Sequence, residues 1–185
     1  MQKVVNFTKM IEGTKEEFEY LEELEAGFNT GLPDRLMAML DNLKNSFSGY
    51  PISRYEHSLQ SATRAYQNNE EEDIVVAALL HDIGDEIAPH THGEMVAAIL
   101  KPFVSDKAAW IVKHHGVFQQ KYMAHKTEEE QNARDQYRDH PYYDDCVRFC
   151  EHYDQNCFDP DFKCLPAAFF EPMVRRVFTR TPSFQ

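Results

Sequence analysis

Six apolar residues in a row, Val75 to Leu80, run straight into a histidine and an aspartate, His81–Asp82, in the stretch "VVAALLHDIGDE". An uninterrupted apolar run of this kind is buried wherever it folds. The two ionisable side chains at its end must then be held by hydrogen bonds, opposite charges or a metal ion, because a lone buried charge is too costly. The partners have to come from elsewhere in the chain.

Helical signals dominate that remainder. "TKEEFEYLEELEAGF" opens with a capping box, Thr14 to Glu17, and keeps a helical period. "LPDRLMAMLDNLKNSF" follows with Pro33 in its first turn. Gly49 and Pro51 form a turn before Ser53, the expected N-cap of "RYEHSLQSATRAY", where Leu59, Ala62 and Tyr66 share a face. Further helices are expected in "EDIVVAALLHDIGDE", "HGEMVAAILKPF", "SDKAAWIVKHH" with Ser105 as N-cap, "TEEEQNARDQYR", "YYDDCVRFCEHYDQN" and "PAAFFEPMVRRVF". "GVFQQKYMAHK" is expected as a loop. No period-2 alternation bounded by turns stands out, so the fold class is all-α, with the first helices forming an added hairpin.

Composition narrows the function classes. The chain has 185 residues, 42% of them hydrophobic, which is enough for one domain with a core. A net charge of −12 argues against nucleic acid or an anionic membrane as partner. No apolar run reaches membrane-spanning length. "MQKVVNFTKMIEG" lacks the apolar centre and cleavage site of a secretion signal, so a cytoplasmic location is expected. The four cysteines, Cys146, Cys150, Cys157 and Cys164, crowd one stretch and lack CxxC spacing. They read as reduced, partly buried thiols.

The histidines carry the signal. His57 lies on the apolar side of its helix, His92 stands four residues before Val96, and His115 follows Ile111 by four. Asp154 follows Cys150 by four and Val147 by seven. With His81 and Asp82, five segments each bring a histidine or carboxylate to an apolar stripe. Helical bundles build metal sites in this way. Four histidines and two aspartates suit iron, manganese, zinc or cobalt, and are too many for one ordinary ion. Two metals bridged by Asp82 would use the set. His114 competes with His115, and Glu151 with Asp154.

The order His57, His81–Asp82, His92, His115, Asp154 resembles the HD-domain superfamily of helical metalloproteins, most of them phosphohydrolases. "YEHSLQSA", "AALLHDIGD" and "CEHYDQNCFDPDF" are similar to its organophosphonate oxygenases, which use a mixed-valent Fe(II)/Fe(III) pair and O₂ to cleave 1-hydroxyphosphonates. The resemblance implies an HD-domain helical bundle over residues 49–185 behind an N-terminal helical extension, residues 1–48. It implies one iron held by His57, His81, Asp82 and Asp154, and another by Asp82, His92 and His115. It also implies that substrate binds iron through its hydroxyl and a phosphonate oxygen, and that Tyr50 serves as a lid residue.

Cations for the phosphonate are sought in Lys121, Arg134 and Arg138, with Gln119 or Gln120 nearer the family's usual lysine position. Asp85–Glu86 adds acid beside the site, which favours a cationic substrate group. Tyr50, Tyr55, Phe118 and Tyr122 offer aromatic faces to a quaternary ammonium. The expected ligand is therefore a small zwitterionic organophosphonate, 1-hydroxy-2-(trimethylammonio)ethylphosphonate or a close amine relative, cleaved to glycine betaine and phosphate. The alternative is an HD-type hydrolase of a nucleotide or another phosphate ester.

Overall fold

The computed structural model describes residues 4–183. The outermost residues of both expected domain ranges therefore lie outside the described residues. Among those described there are helices and turns and no strands: α1 (Lys15–Asn29), α2 (Leu32–Asn42), α3 (Arg54–Gln67), α4 (Glu72–Leu80), α5 (His92–Leu100), α6 (Asp106–Gln119), α7 (Glu128–Gln131), α8 (Tyr143–Tyr153) and α9 (Ala167–Phe178). The all-α expectation holds.

Side-chain caps legible in the sequence begin four of the helices. Thr14, Ser53 and Thr127 each form a full capping box, with Glu17, Glu56 and Glu130 reaching back to the cap backbone. Ser105 accepts from Ala108 at the start of α6. Helix α4 is apolar all round, and every residue from Ile74 to Leu80 is buried. That makes it the central rod, packed against α3, α6 and α9.

Helix α3 is buried from His57 to Thr63 despite its polar side chains, three of which bond to the end of α8 and the segment after it. Gln60 donates to the Asp159 carbonyl at 2.6 Å, Ser61 donates to the Tyr153 carbonyl, and Thr63 accepts from Leu165 N–H at 3.0 Å. Helix α8 buries Cys146, Phe149, Cys150 and Tyr153, while Val147 of the expected stripe is half-buried. Helix α2 lays Leu36 and Leu40 onto the core beside α3 and α9, whereas α1 buries none of its side chains.

Three local readings need correction. Helix α6 runs on through Gly116–Gln119, where a loop was expected, because Phe118 is fully buried and holds the last turn down. "TEEEQNARDQYR" is not one helix but the single turn α7 and a 3-10 stretch, Ala133–Tyr137. Tyr66 is 41% exposed and meets only the edge of Phe169 rather than the core.

Candidate metal centre

Asp82 sits in the turn just past α4, 2% exposed, with a different group at each of its oxygens. Oδ2 lies 3.2 Å from His81 Nε2 and 3.4 Å from His57 Nε2. Oδ1 lies 3.5 Å from both His92 Nε2 and His115 Nε2. On the far side of the first pair, Asp154 Oδ1 is 3.4 Å from His57 Nε2 and 3.9 Å from His81 Nε2. Five segments thus converge on one point: α3, the end of α4, the start of α5, the middle of α6 and the end of α8.

The orientation of each imidazole follows from its outer nitrogen. His57 Nδ1 is 3.0 Å from the Cys157 carbonyl, His81 Nδ1 2.8 Å from the Ala78 carbonyl, and His115 Nδ1 2.6 Å from the Val112 carbonyl. A carbonyl oxygen only accepts, so each Nδ1 carries a hydrogen and each Nε2 points inward. His92 does the same with a carboxylate, its Nδ1 standing 3.2 Å from Asp85 Oδ1. This is how ligating histidines are held in metal sites.

Two glycines permit the approach. A Cβ on Gly93 would stand 2.9 Å from the Val112 carbonyl, and one on Gly84 would stand 3.2 Å from the His92 Cβ. Without side chains there, α5 closes on α6 and on the His81–Ile87 turn, which brings His92 to His115.

The donor set fits metal ions. His57 and His81 Nε2 are 3.2 Å apart, and so are His92 and His115 Nε2. Two nitrogens bound to one metal at ~2.1 Å lie about 3.0–3.4 Å apart for angles of 90–109°. Two inward lone pairs at that distance repel, and a bound cation relieves that repulsion. Asp154 Oδ2 is buried without a hydrogen-bond partner, which a metal ion would supply. Groups able to hold an ion are His57–His81–Asp154, His81–Asp82–His115 and Asp82–Asp85–His92.

The charges in the cluster act on one another. Burial opposes ionisation of Asp82, yet the charges on His81 and Arg54 hold its carboxyl well below the usual range. Burial likewise works against a charged His81, but the Asp82 carboxylate outweighs it and raises the imidazole to about 9. Burial pushes His92 down. Asp154 is lowered against its own burial by the neighbouring His57 and His81 imidazoles.

The contested ligands separate. His115 faces the cluster, whereas His114 turns away, stacked on Trp110 at 4.3 Å with Nδ1 on the Trp110 carbonyl. Asp154 is buried and Glu151 exposed.

A cavity of about 380 Å³ adjoins the cluster, lined by Phe47, Tyr50, Arg54, Asp85, Pro89, Gln119, Tyr122, Met123, Gln155 and Phe158. Tyr50 stacks on Phe158 at 4.7 Å, and Phe158 stacks on His57 at 4.5 Å, so the tyrosine stands at the rim, one ring away from the clustered histidines. Gln119 lines the cavity and donates to Asp154 Oδ1 at 2.7 Å.

Several expected substrate contacts are not brought here. Glu86 is exposed and outside the lining, because the turn that points Asp85 inward sends its neighbour out. Lys121 is exposed and bonded to Asn132, and Arg138 is exposed and paired with Asp135. Arg134 lies half-buried behind Tyr122, with Nη1 buried and unpartnered. Of the expected aromatic faces, Tyr55 lies under Lys44 and Phe118 is in the core, while Phe47 and Phe158 take their places. The cation that does line the cavity is Arg54, which the sequence reading missed. It stands 2.8 Å from Asp82 Oδ2 and 2.7 Å from Asp85 Oδ2.

Residues 54–140 match the HD domain family, a span that contains five of the six convergent residues. The chain carries an HD domain. HD domains bind metals, in keeping with the histidine and aspartate groups described above. The sixth residue, Asp154, lies beyond the matched span. A curated relative, the 1-hydroxy-2-(trimethylamino)ethyl phosphonate dioxygenase (glycine-betaine-forming) of Leisingera caerulea, is 36% identical over 80 residues. That match covers 37% of this chain and 41% of the relative. Among the described residues, no helix is long and apolar enough to cross a membrane.

Proposed function

We propose that this HD domain is an O₂-dependent di-iron oxygenase that breaks the carbon–phosphorus bond of a 1-hydroxyphosphonate. The observation that carries the reading is Asp82, which turns one carboxylate oxygen to each of two histidine pairs. His57, His81 and Asp154 would complete one iron site, and His92 and His115 the other. Bound iron would supply the redox chemistry with O₂. The dioxygenase relative supports oxygenation over hydrolysis.

The chain's own residues would bind and orient. The cavity opens beside Asp82, so a substrate entering it reaches the metal-facing atoms from the Arg54 and Gln119 side. Phe47, Tyr50, Tyr122 and Phe158 give an apolar aromatic lining that suits a quaternary ammonium. Tyr50, at the rim, would close over the bound substrate. The substrate would be 1-hydroxy-2-(trimethylammonio)ethylphosphonate. One O₂ would convert it to glycine betaine and phosphate with release of one proton.

The test is anaerobic loading with Fe(II), followed by O₂ uptake and phosphate release with this compound. One O₂ consumed per phosphate formed is the expected result. Phosphate release from a phosphate ester without O₂, and none from any hydroxyphosphonate, would refute it.

A further inference from the structure

Of the ten residues lining the cavity, two carry charge, and they neutralise each other. Arg54 binds Asp85 Oδ2 through Nε at 2.8 Å and Nη2 at 2.7 Å, and reaches Asp82 Oδ2 through Nη2 at 2.8 Å. The Arg54 and Asp85 side chains are only 12% and 10% exposed, so their pairing is far less screened than a surface ion pair. The described contacts occupy Nε and Nη2 and leave the Nη1 hydrogens for a ligand. A planar, permanently charged fork of this kind suits the oxygens of a tetrahedral oxyanion.

The pair can also be opened cheaply. Asp85 has a second partner, His92 Nδ1 at 3.2 Å, so it keeps a hydrogen bond when Arg54 turns away. An anion entering the cavity can therefore replace Asp85 on Arg54 without stranding a carboxylate.

We propose that Arg54 grips the phosphonate group in this cavity and that Asp85 masks it until such an anion arrives. This rests on the reading that the site takes a phosphonate. It also revises the role of Asp85, which competes with the ligand's anion rather than simply attracting its cation. A zwitterionic ligand makes the exchange complete, because its own cation faces the released Asp85.

The two residues must then act with opposite signs on a simple anion. Calorimetric titration of the metal-loaded protein with methylphosphonate reads this directly, with metal content measured for every variant. Arg54→Gln is expected to weaken binding about 10- to 100-fold, as for loss of a hydrogen bond to a charged group. Asp85→Asn is expected to tighten it several-fold, about half an order of magnitude or more. With (2-aminoethyl)phosphonate that gain is expected to vanish, because Asp85 is then needed as a partner.

Arg54→Gln binding as well as wild type, or Asp85→Asn losing affinity in parallel with it, would overturn the proposal. If Arg54→Gln loses metal, Arg54→Lys and Asp85→Asn decide: weaker binding in the first and tighter in the second support masking, and the same sign in both overturns it. A wild type that binds no methylphosphonate and turns over no hydroxyphosphonate would refute the proposed function, and this inference with it. A wild type that turns over hydroxyphosphonate, with Arg54→Gln unaltered, would refute the inference alone.

Discussion

Metal binding to this cluster should release a proton, and its strength should depend steeply on pH. In the metal-free protein the His81 imidazole is raised to about 9, against 6.5 for the free side chain. Its Nδ1 hydrogen is engaged by the Ala78 carbonyl, so the extra proton sits on Nε2, the nitrogen that must bind metal. At pH 7 that proton has to leave first. Two pH units below the pKa the competition costs about 100-fold in apparent affinity. Asp82 is already ionised there, and His92 is lowered, so neither adds a second proton.

The apparent affinity for Zn(II) or Mn(II) should therefore rise close to tenfold per pH unit from 7 to 8, and level off above 9. Competition titration against a chelator of known pH dependence reads the slope. Calorimetry in buffers of different ionisation enthalpy counts the proton. Stability of the metal-free protein should run the other way. His81 is raised on folding, so its contribution of up to about 3 kcal/mol is fully present below pH 6.5 and lost as pH rises through 9. Equal affinity at pH 7 and 9, with no proton released, would show that His81 is neutral in the metal-free site and refute the reasoning.

Other expectations follow from packing. Gly93→Ala places a methyl 2.9 Å from the Val112 carbonyl and should prise α5 from α6, costing about 1–3 kcal/mol in thermal or urea unfolding. Metal analysis of that variant should show loss of the His92–His115 ion before the other, and equal retention of both would count against the pairing. Phe118→Ala removes a fully buried ring packed against Trp110, Tyr137 and Tyr143, and should cost about 3–5 kcal/mol in chemical denaturation. Burial pushes Cys150 and Cys157 up and shields Cys146, so a thiol reagent should modify half-buried Cys164 first and the others only on unfolding.

The convergent residues were legible because each lies on an apolar stripe or at its end. Val75 to Leu80 must be buried, so His81 and Asp82 had to be buried with them. Choosing His115 over His114 needed the actual rotation of α6, since both follow apolar residues by four. Arg54 was not legible, because its meaning comes from carboxylates 28 and 31 residues away that meet it only once α3 lies beside the turn after α4. Asp85 and Glu86 look equivalent in the chain, and only the turn divides them, one toward Arg54 and one toward solvent. Two further aromatic walls came from Phe47, which reads in the sequence as the end of a helix, and Phe158, and both lie in loops.

The central claim is that six side chains hold two metal ions with Asp82 between them. Anomalous diffraction from a metal-loaded crystal tests it most directly. The account predicts two peaks, one bounded by His57, His81 and Asp154 and the other by His92 and His115, each within bonding distance of a different Asp82 oxygen. A single peak that leaves one histidine pair empty at saturating metal, or two peaks neither of which touches Asp82, would contradict it.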